Sequence, residues 1–441
     1  MRGLDLILKK RNGENLSADE IDFMVNQYNE GAIPDYQMAA FLMAVFFQGF
    51  SNKETSALAS ALAGSGETLD FSFLSDTVVD KHSSGGVGDK VTLILVPLVA
   101  AVGISVAKLS GRGLDFTGGT IDKLESIPGF SANLSISHFL KLVSENGLAI
   151  MAQTEDLTPA DGKLYALRDA TGTVDNISLI AASIMSKKIA AGAGAILLDV
   201  KTGSGAFMQS KDEAFHLAEI MIRIGKDLGK RTVAVVTDMN QPLGFAVGNA
   251  LEVKEAIQVL KGEGPRDVEQ LCLILGGYLM ALTGKVRNAE EGQVQLSRLI
   301  NNGAAYEKFK QLVVAQDGDV AFVEDLSQFP KALNVQEVTA SKNGYLVEID
   351  ARRVGKAASL LGAGRSYKEQ EIDHAVGVVL NHKVGDSILQ GETLAFIHSN
   401  NQEYNETVLK ELSNAFTIKE ELGEIPPLVH GVVPPFPNIY E

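Results

Sequence analysis

Two glycine-rich stretches decide the fold: Lys81-His-Ser-Ser-Gly-Gly-Val-Gly-Asp89 and Ser110-Gly-Arg-Gly-Leu-Asp-Phe-Thr-Gly-Gly-Thr120. Each follows a short β-branched run and precedes a helical pattern, so the chain is expected to form strand, loop and helix twice. Glycine backbone N–H groups, several hydroxyls and a helix N-terminus all favour an anion. The two stretches therefore predict a phosphate site.

Two better-known glycine motifs are not matched. In the first stretch Asp89 stands between Gly88 and Lys90, whereas a P-loop needs lysine directly after the glycine. The run Gly192-Ala-Gly194 comes before a predicted strand, whereas a dinucleotide-binding fingerprint follows its strand. Ordinary tight turns are the remaining alternative, and they do not require so many hydroxyl and cationic side chains.

Composition limits the class of protein. The 441 residues are enough for two or three domains with a large core. The formal net charge of −16 argues against nucleic acid and against an anionic membrane surface as partners. Cys272, the single cysteine, lies in an apolar run and excludes an intrachain disulfide. With no signal-peptide pattern and no apolar run of ~18 residues, we expect a cytoplasmic protein.

The pattern predicts an α/β protein with three parts. Capping boxes, Ser17 with Glu20 and Ser51 with Glu54, begin helices in the first part. Alternating strands and helices from residue 78 to about residue 284 imply a mainly parallel sheet. The later chain has strand patterns and a hairpin-like stretch at 384–394. We predict a small all-helical domain (1–65 and 160–193), a larger α/β phosphate-binding domain (66–159 and 194–330) and a C-terminal α+β domain (331–441).

One group of polar residues is ambiguous from periodicity alone. Ser183 and Lys187 are four residues apart and share a helix face, and Arg168 lies on a preceding helical pattern. A solvated face with an ordinary ion pair explains them without any function.

Together the motifs resemble the thymidine and pyrimidine-nucleoside phosphorylase family. The resemblance rests on both glycine stretches and on Leu164-Tyr-Ala-Leu-Arg-Asp169, Ser183-Ile-Met-Ser-Lys-Lys188 and Asp199-Val-Lys-Thr-Gly-Ser-Gly-Ala-Phe207, and it extends over essentially the whole chain. It implies reversible phosphorolysis of uridine, thymidine and deoxyuridine, with phosphate as co-substrate and no organic cofactor. It also implies a homodimer formed through the N-terminal helical domain.

The resemblance assigns roles to individual side chains. His82 is implied as an acid with a near-neutral pKa, and it shares the catalytic role with Arg168 and Lys187, which domain closure would bring to the phosphate. The expected phosphate contacts are Lys81, Ser83, Thr92, Lys108, Ser110 and Thr120. The expected base contacts are Tyr165, Arg168, Ser183 and Lys187.

Three positions distinguish this chain within the family. Lys108 favours broad specificity, since members restricted to deoxynucleosides have a methionine-like residue there. Asp115-Phe116 replaces the usual Gly-His and is expected to weaken phosphate binding.

Lys90 replaces a threonine in a potassium site. The resemblance places this site at Gly88, Leu243, Ala246 and Glu255. We expect the ammonium of Lys90 to occupy the site in place of the ion. The alternative is that Lys90 is exposed to solvent and the ion is still bound through the carbonyls.

Two other functions stay open at this stage. A related phosphoribosyltransferase has the same fold, but it needs magnesium-binding acidic pairs that the sequence does not show. A catalytically weak or regulatory paralogue is the second alternative, because of the Asp115-Phe116 departure.

Overall fold

A computed structural model of the chain describes residues 1–74, 77–113, 116, 118–154, 156–365, 370–401 and 405–434. Within them no helix has both the length and the apolarity to cross a membrane. The α-helices are α1 (Gly3–Arg11), α2 (Ala18–Asn29), α3 (Asp35–Gln48), α4 (Asn52–Ala63), α5 (Val91–Ala100), α6 (Thr120–Leu124), α7 (Ile136–Asn146), α8 (Pro159–Thr171), α9 (Ile177–Ala190), α10 (Lys211–Asp227), α11 (Asn249–Leu260), α12 (Arg266–Leu282), α13 (Ala289–Asn301), α14 (Ala304–Ala315), α15 (Val320–Glu324), α16 (Ala351–Ala358) and α17 (Asn405–Ser413).

The strands form one large sheet and two small ones. The large sheet has the order β13-β5-β4-β1-β2-β3, and the small sheets have the orders β10-β8-β12 and β6-β9-β11-β7. The strands are β1 (Val79–Ser83), β2 (Val106–Ser110), β3 (Leu148–Ala152), β4 (Ala195–Thr202), β5 (Arg231–Asp238), β6 (Ala246–Val247), β7 (Asn334–Thr339), β8 (Gly344–Ile349), β9 (Gly377–Leu380), β10 (Ser387–Ile388), β11 (Thr393–Ser399), β12 (Phe416–Lys419) and β13 (Val429–Val433).

The N-terminal helices pack with two helices from the middle of the chain. α8 contacts α2, α3 and α4, and α9 packs against α4. Both predicted capping boxes are formed, at the starts of α2 and α4, which satisfies backbone N–H groups that a helix start leaves open. The two pieces of chain are thus held together by one apolar cluster that includes Met24, Phe41, Leu62, Leu164 and Leu179.

The large sheet is parallel apart from its β13 edge, as the alternating pattern predicts. The carboxyl ends of β1, β2, β4 and β5 therefore meet at one edge of the sheet. One detail differs from the sequence interpretation. β1 extends through Ser83, so Lys81, His82 and Ser83 are strand residues in register with β4, and the glycine loop begins after them.

The helix after the first glycine stretch fixes that loop against the core. All residues of α5 are buried, and α11, α12 and α14 pack around it. A helix that is apolar on every side belongs in the interior of a protein. The loop is therefore held between a buried strand and a buried helix.

A strand from the C-terminal part joins the large sheet, and a strand from the α/β part joins a small sheet. β13 was expected in a separate C-terminal domain, but it pairs antiparallel with β5 and forms an edge of the large sheet. Conversely, β6 pairs with β9 in a small sheet. The expected hairpin at 384–394 is not formed, because β10 pairs with β8 whereas β11 pairs with β7 and β9.

Candidate active site

Buried lysines and aspartates meet at the carboxyl ends of the parallel strands. Lys188 Nζ lies 2.8 Å from Asp80 Oδ2, and Lys108 Nζ lies 3.9 Å from Asp80 Oδ1. Both ammonium groups also donate to the Leu109 carbonyl, at 2.5 Å from Lys108 and 3.2 Å from Lys188. Two cations thus share one carboxylate directly beneath the second glycine stretch.

A second set of ion pairs lies beside the first glycine stretch. Asp199 accepts hydrogen bonds from Lys201 at 2.8 Å and from Thr237 at 2.7 Å. Lys81 Nζ lies 3.4 Å from Asp199 and 4.0 Å from Asp89, and it forms no hydrogen bond within the described part of the chain. The Lys81 ammonium therefore has donors available for an anion.

We call these groups the lysine–aspartate cluster: Lys81, Lys108, Lys188, Lys201, Asp80, Asp89 and Asp199. Four lysine amino groups face three carboxylates, so the cluster has a formal excess of one positive charge when every group is ionised. Burial, together with Lys188 and Lys81, holds the pKa of Lys108 well below its usual range, and Asp80 only partly opposes this. An anion placed here would relieve the repulsion.

His82 stands among these cations. Its Nε2 is buried and has no hydrogen-bond partner in the structure as described. Burial lowers the pKa of His82 well below 6.5, and Lys188, Lys108, Lys81 and Lys187 lower it further. The expectation of a near-neutral pKa is therefore wrong. In the ligand-free protein His82 is a neutral imidazole, which still donates one hydrogen bond.

Hydroxyl groups of both glycine stretches lie at this edge. Ser83 Oγ donates to the Asp89 carboxylate and accepts from the Gly85 N–H at 3.3 Å. Ser110 is buried at the end of β2. Thr92 lies in the first turn of α5, and Thr120 is the first residue of α6. Ser83 thus contacts the lysine–aspartate cluster through Asp89, and Thr92 and Thr120 lie at the starts of the helices that follow the two glycine stretches.

The second glycine stretch is held by Asp122. This carboxylate accepts from the Gly113 N–H at 2.6 Å and from Arg365 at 2.7 Å. The guanidinium carbon of Arg352 lies 4.9 Å from the centroid of the Phe116 ring. Asp115 lies outside the described residues, so its expected effect on phosphate stays a prediction.

The expected base contacts lie on α8 and α9. Lys187 Nζ forms an ion pair with Asp161, and it donates to Ser183 Oγ at 3.1 Å. Ser183 is buried, whereas the Lys187 side chain is 25% exposed and that of Tyr165 is largely accessible. A solvated helix face therefore accounts for Lys187 and Tyr165 but not for the buried Ser183.

Arg168 is buried on α8 with three of its N–H donors bound to backbone carbonyls. Its guanidinium donates to the carbonyls of Val174 at 2.7 Å, Thr173 at 3.3 Å and Leu179 at 3.4 Å. Burial lowers the pKa of Arg168. The Tyr165 ring lies 5.8 Å from its guanidinium carbon. Arg168 therefore braces the α8–α9 connection in this structure.

Lys90 is completely buried, so the alternative of an exposed lysine is wrong. Its ammonium donates to Leu243 O at 2.7 Å and to Ala246 O at 2.9 Å, and it lies 2.5 Å from Glu255 Oε2. Although burial opposes the charged form, Glu255 and Glu252 raise the pKa of Lys90. A cationic ammonium thus lies among the oxygens expected to surround a metal ion. In the described part of the chain no group of three or more His, Cys, Asp or Glu could hold a metal.

Comparisons with known proteins agree with this arrangement. Residues 4–66 match the helical bundle domain of a glycosyl transferase family, residues 75–306 match its a/b domain, and residues 345–419 match the pyrimidine nucleoside phosphorylase C-terminal domain. The pyrimidine-nucleoside phosphorylase of Bacillus subtilis is 52% identical over 98% of this chain and 100% of its own length. The chain belongs to the pyrimidine-nucleoside phosphorylase family.

Other members and one solved structure extend the comparison. The enzyme of Geobacillus stearothermophilus is 52% identical over 94% of this chain and 96% of its own. Anthranilate phosphoribosyltransferase from Thermus thermophilus superposes with a TM-score of 0.59 over 71% of this chain and 99% of its own, at 20% identity. That likeness shows the fold alone.

Sequence reasoning assigned no site role to five members of the cluster: Asp80, Asp89, Lys188, Asp199 and Lys201. A signal was present in the strands. In β4, Asp199 and Lys201 are two residues apart and so share one face of a strand that is buried throughout. Paired opposite charges inside an apolar strand indicate an ion network beneath a site.

Proposed function

We propose that this chain is a pentosyltransferase that catalyses the reversible phosphorolysis of pyrimidine nucleosides, yielding the free base and a pentose 1-phosphate. The observation that carries the proposal is the buried lysine–aspartate cluster beside the two glycine stretches, in which four lysines face three carboxylates. The relatives that match nearly the whole chain are pyrimidine-nucleoside phosphorylases, which supports the same reaction.

Phosphate is the expected occupant of the cluster. Lys81 has unused donors, and Lys108 would regain its full charge beside a dianion. The hydroxyls of Ser83, Ser110, Thr92 and Thr120 complete the set of donors. A phosphate oxygen held here would attack C1′ of the nucleoside as the glycosidic bond breaks.

The base side has to stabilise the leaving pyrimidine. Electron density moves onto the base as the bond to the sugar breaks, so donors at its ring oxygens stabilise the transition state more than the ground state. Lys187 with Ser183 supplies such donors, and Arg168 and Tyr165 lie beside them. His82, as a neutral imidazole, would donate a hydrogen bond to a base oxygen rather than act as a preformed acid.

A turnover assay tests this function. Purified protein is incubated with phosphate and with uridine, deoxyuridine, thymidine or cytidine in turn, and free base and pentose 1-phosphate are measured. Because Lys108 lies beside the phosphate site, we expect turnover of uridine as well as thymidine. A protein that cleaves none of them is the weak or regulatory paralogue. Activity with phosphoribosyl pyrophosphate and magnesium instead would identify a phosphoribosyltransferase.

Lys90 is proposed to replace the potassium ion that the family resemblance implies at this site. Its ammonium contacts Leu243 O, Ala246 O and Glu255, and a tethered cation needs no ion from solution. Exchange of potassium for a bulky organic cation at constant ionic strength should leave activity and melting temperature unchanged. Lys90→Thr should make both depend on potassium. Strong potassium activation of the unaltered protein would contradict this role.

A homodimer formed through the N-terminal helices is also proposed. On α3, Tyr36 and Phe47 are 73% and 77% exposed and lie about three turns apart on one face. On the neighbouring α1, Leu4 and Leu8 are exposed as well. Sedimentation equilibrium should show a dimer, and Tyr36→Asp with Phe47→Asp should give a monomer. A monomeric unaltered protein would refute this.

A further inference from the structure

Residues 242–246, here called the clamped segment, accept hydrogen bonds from two lysine ammonium groups. Lys90 donates to the carbonyls of Leu243 and Ala246. Lys383 donates to Pro242 O at 2.5 Å and to Gly244 O at 3.0 Å. Two cations thus take up four carbonyls within five residues.

Each lysine has its own carboxylate. Lys90 pairs with Glu255, and Lys383 Nζ lies 3.0 Å from Asp267 Oδ2, which also accepts from the Gly244 N–H at 3.0 Å. Burial lowers the pKa of Lys383, and Asp267 opposes this. The two sites therefore have the same set of acceptors: two backbone carbonyls and one carboxylate around an ammonium.

The clamped segment lies directly against the first glycine stretch. The Leu243 N–H donates to Val87 O at 3.1 Å. Gly88 has φ +70°, and a Cβ at that position would lie 2.7 Å from Leu243 O. Because the contact is so close, a displacement of Leu243 also displaces the loop that follows Ser83.

Lys383 comes from the C-terminal part of the chain, far from the glycine stretches in sequence. Its neighbours add backbone contacts, since the Val384 N–H donates to Gln241 Oε1 at 3.1 Å and the Leu380 N–H donates to Phe245 O at 2.8 Å. The match to the pyrimidine nucleoside phosphorylase C-terminal domain includes this region. The C-terminal part therefore contacts the clamped segment through a second ammonium and through backbone N–H groups.

We propose that Lys383 is a positioning residue for the phosphate site, acting through the clamped segment on the first glycine stretch. The inference rests on the proposed function in that phosphate occupies this stretch. Without the ammonium, the carbonyls of Pro242 and Gly244 lose a buried donor and Asp267 loses its counter-ion. The segment then relaxes toward other partners, and Leu243 moves with it.

The test exploits the single native cysteine. Lys383→Cys removes the ammonium and introduces a thiol at a side chain that is 18% exposed and lines a cavity of about 520 Å³. Native Cys272 is fully buried, and burial raises the pKa of its thiol, so it does not compete. A haloethylamine then rebuilds a lysine-like ammonium on the introduced thiol, whereas iodoacetamide builds a neutral side chain of similar length. Mass spectrometry confirms one adduct.

Three forms are compared with the unaltered protein: Lys383→Cys, its cationic adduct and its neutral adduct. The measurements are kcat and KM for phosphate with uridine, and the calorimetric Kd for phosphate alone. We expect KM and Kd for phosphate to rise about three- to tenfold in the unmodified variant and in the neutral adduct, with kcat at saturating phosphate within about twofold. The cationic adduct should return both constants to within about twofold of the unaltered protein.

Other outcomes separate the claims. Unchanged phosphate constants in an active Lys383→Cys protein, or equal recovery by both adducts, would overturn the role of Lys383. An unaltered protein that binds phosphate but cleaves no nucleoside would refute the proposed function, and the Kd comparison would still test Lys383. If Lys383→Cys does not fold, Asp267→Asn keeps the hydrogen-bonding shape and removes the counter-ion. It should raise the phosphate constants in the same direction, and no rise would again overturn the proposal.

Discussion

The phosphate side and the base side of the site are built differently. On the phosphate side, cations lie at the ends of strands within an ion network, and Lys81 retains free donors. On the base side, the cations already bind groups of α8, α9 and the connection between these helices. Lys187 is paired with Asp161, and Arg168 donates to three backbone carbonyls.

This difference bears on how each side meets its ligand. An anion can enter the lysine–aspartate cluster without displacing a hydrogen bond of Lys81, and it relieves repulsion there. A pyrimidine can accept a hydrogen bond from Lys187 only if Lys187 releases Asp161 or binds the base in addition to Asp161 and Ser183. The Lys81 ammonium on the phosphate side is therefore preorganised, although the Ser83 hydroxyl must turn from Asp89 to the anion, whereas the base-side cations must exchange partners during the reaction.

The largest difference between the two sides is expected when the side chain that donates a hydrogen bond to the leaving base is removed. Lys187→Ala should lower kcat by about 10²- to 10³-fold, because the donor acts on charge that develops in the transition state. The KM for phosphate should stay within about threefold. Steady-state kinetics with uridine measures both. Lys163→Ala is the control, since Lys163 lies on α8 and binds only the Asn29 carbonyl among the contacts described. A loss of phosphate affinity in Lys187→Ala as large as the loss of kcat would contradict the division.

A smaller effect is expected from a hydroxyl on the phosphate side. Ser83→Ala should raise the KM for phosphate about tenfold, the cost of one hydrogen bond to an anion, and change kcat at saturating phosphate little. Ser72→Ala is the matched control, since Ser72 makes a similar serine–aspartate contact with Asp70 away from the site. If instead kcat fell and the KM for phosphate did not change, Ser83 would act on the leaving base and not on phosphate.

The smallest expected effect is the uptake of a proton by Lys108 when phosphate binds. Because the pKa of Lys108 is lowered in the free protein, bound phosphate should raise it and draw a proton from buffer. The cationic form is lost as pH rises, so phosphate affinity should fall on the alkaline side. Calorimetry at mildly alkaline pH, in two buffers of different ionisation enthalpy, should show proton uptake, and Lys108→Met should reduce it. Equal uptake in the variant would rule out Lys108 as the source.

The fold could be predicted from sequence where its causes are local. The capping boxes at Ser17 and Ser51 and the strand–loop–helix order depend on neighbouring residues. The edge position of β13 depends on a pairing with β5 nearly two hundred residues earlier, which periodicity does not encode. The contacts of the clamped segment could not be predicted for the same reason, since Lys383 and Gly244 are far apart in sequence and meet only in the folded chain.

The site shows a similar division. The glycine stretches indicated an anion site, and the partners of Lys90 followed from resemblance to a family. The low pKa of His82 could not be predicted, because it arises from burial of the ring and from four lysines that three different elements bring around it. Pairings such as Lys188 with Asp80 join residues on α9 and β1, and spacing alone does not reveal them.

The most direct test of the comparison is a calorimetric titration of inorganic phosphate into the protein without nucleoside. A preorganised phosphate side predicts saturable binding at one site per chain, weakened by salt and by Ser83→Ala but not by Lys187→Ala. Phosphate binding that appears only when a nucleoside or base is present would contradict it.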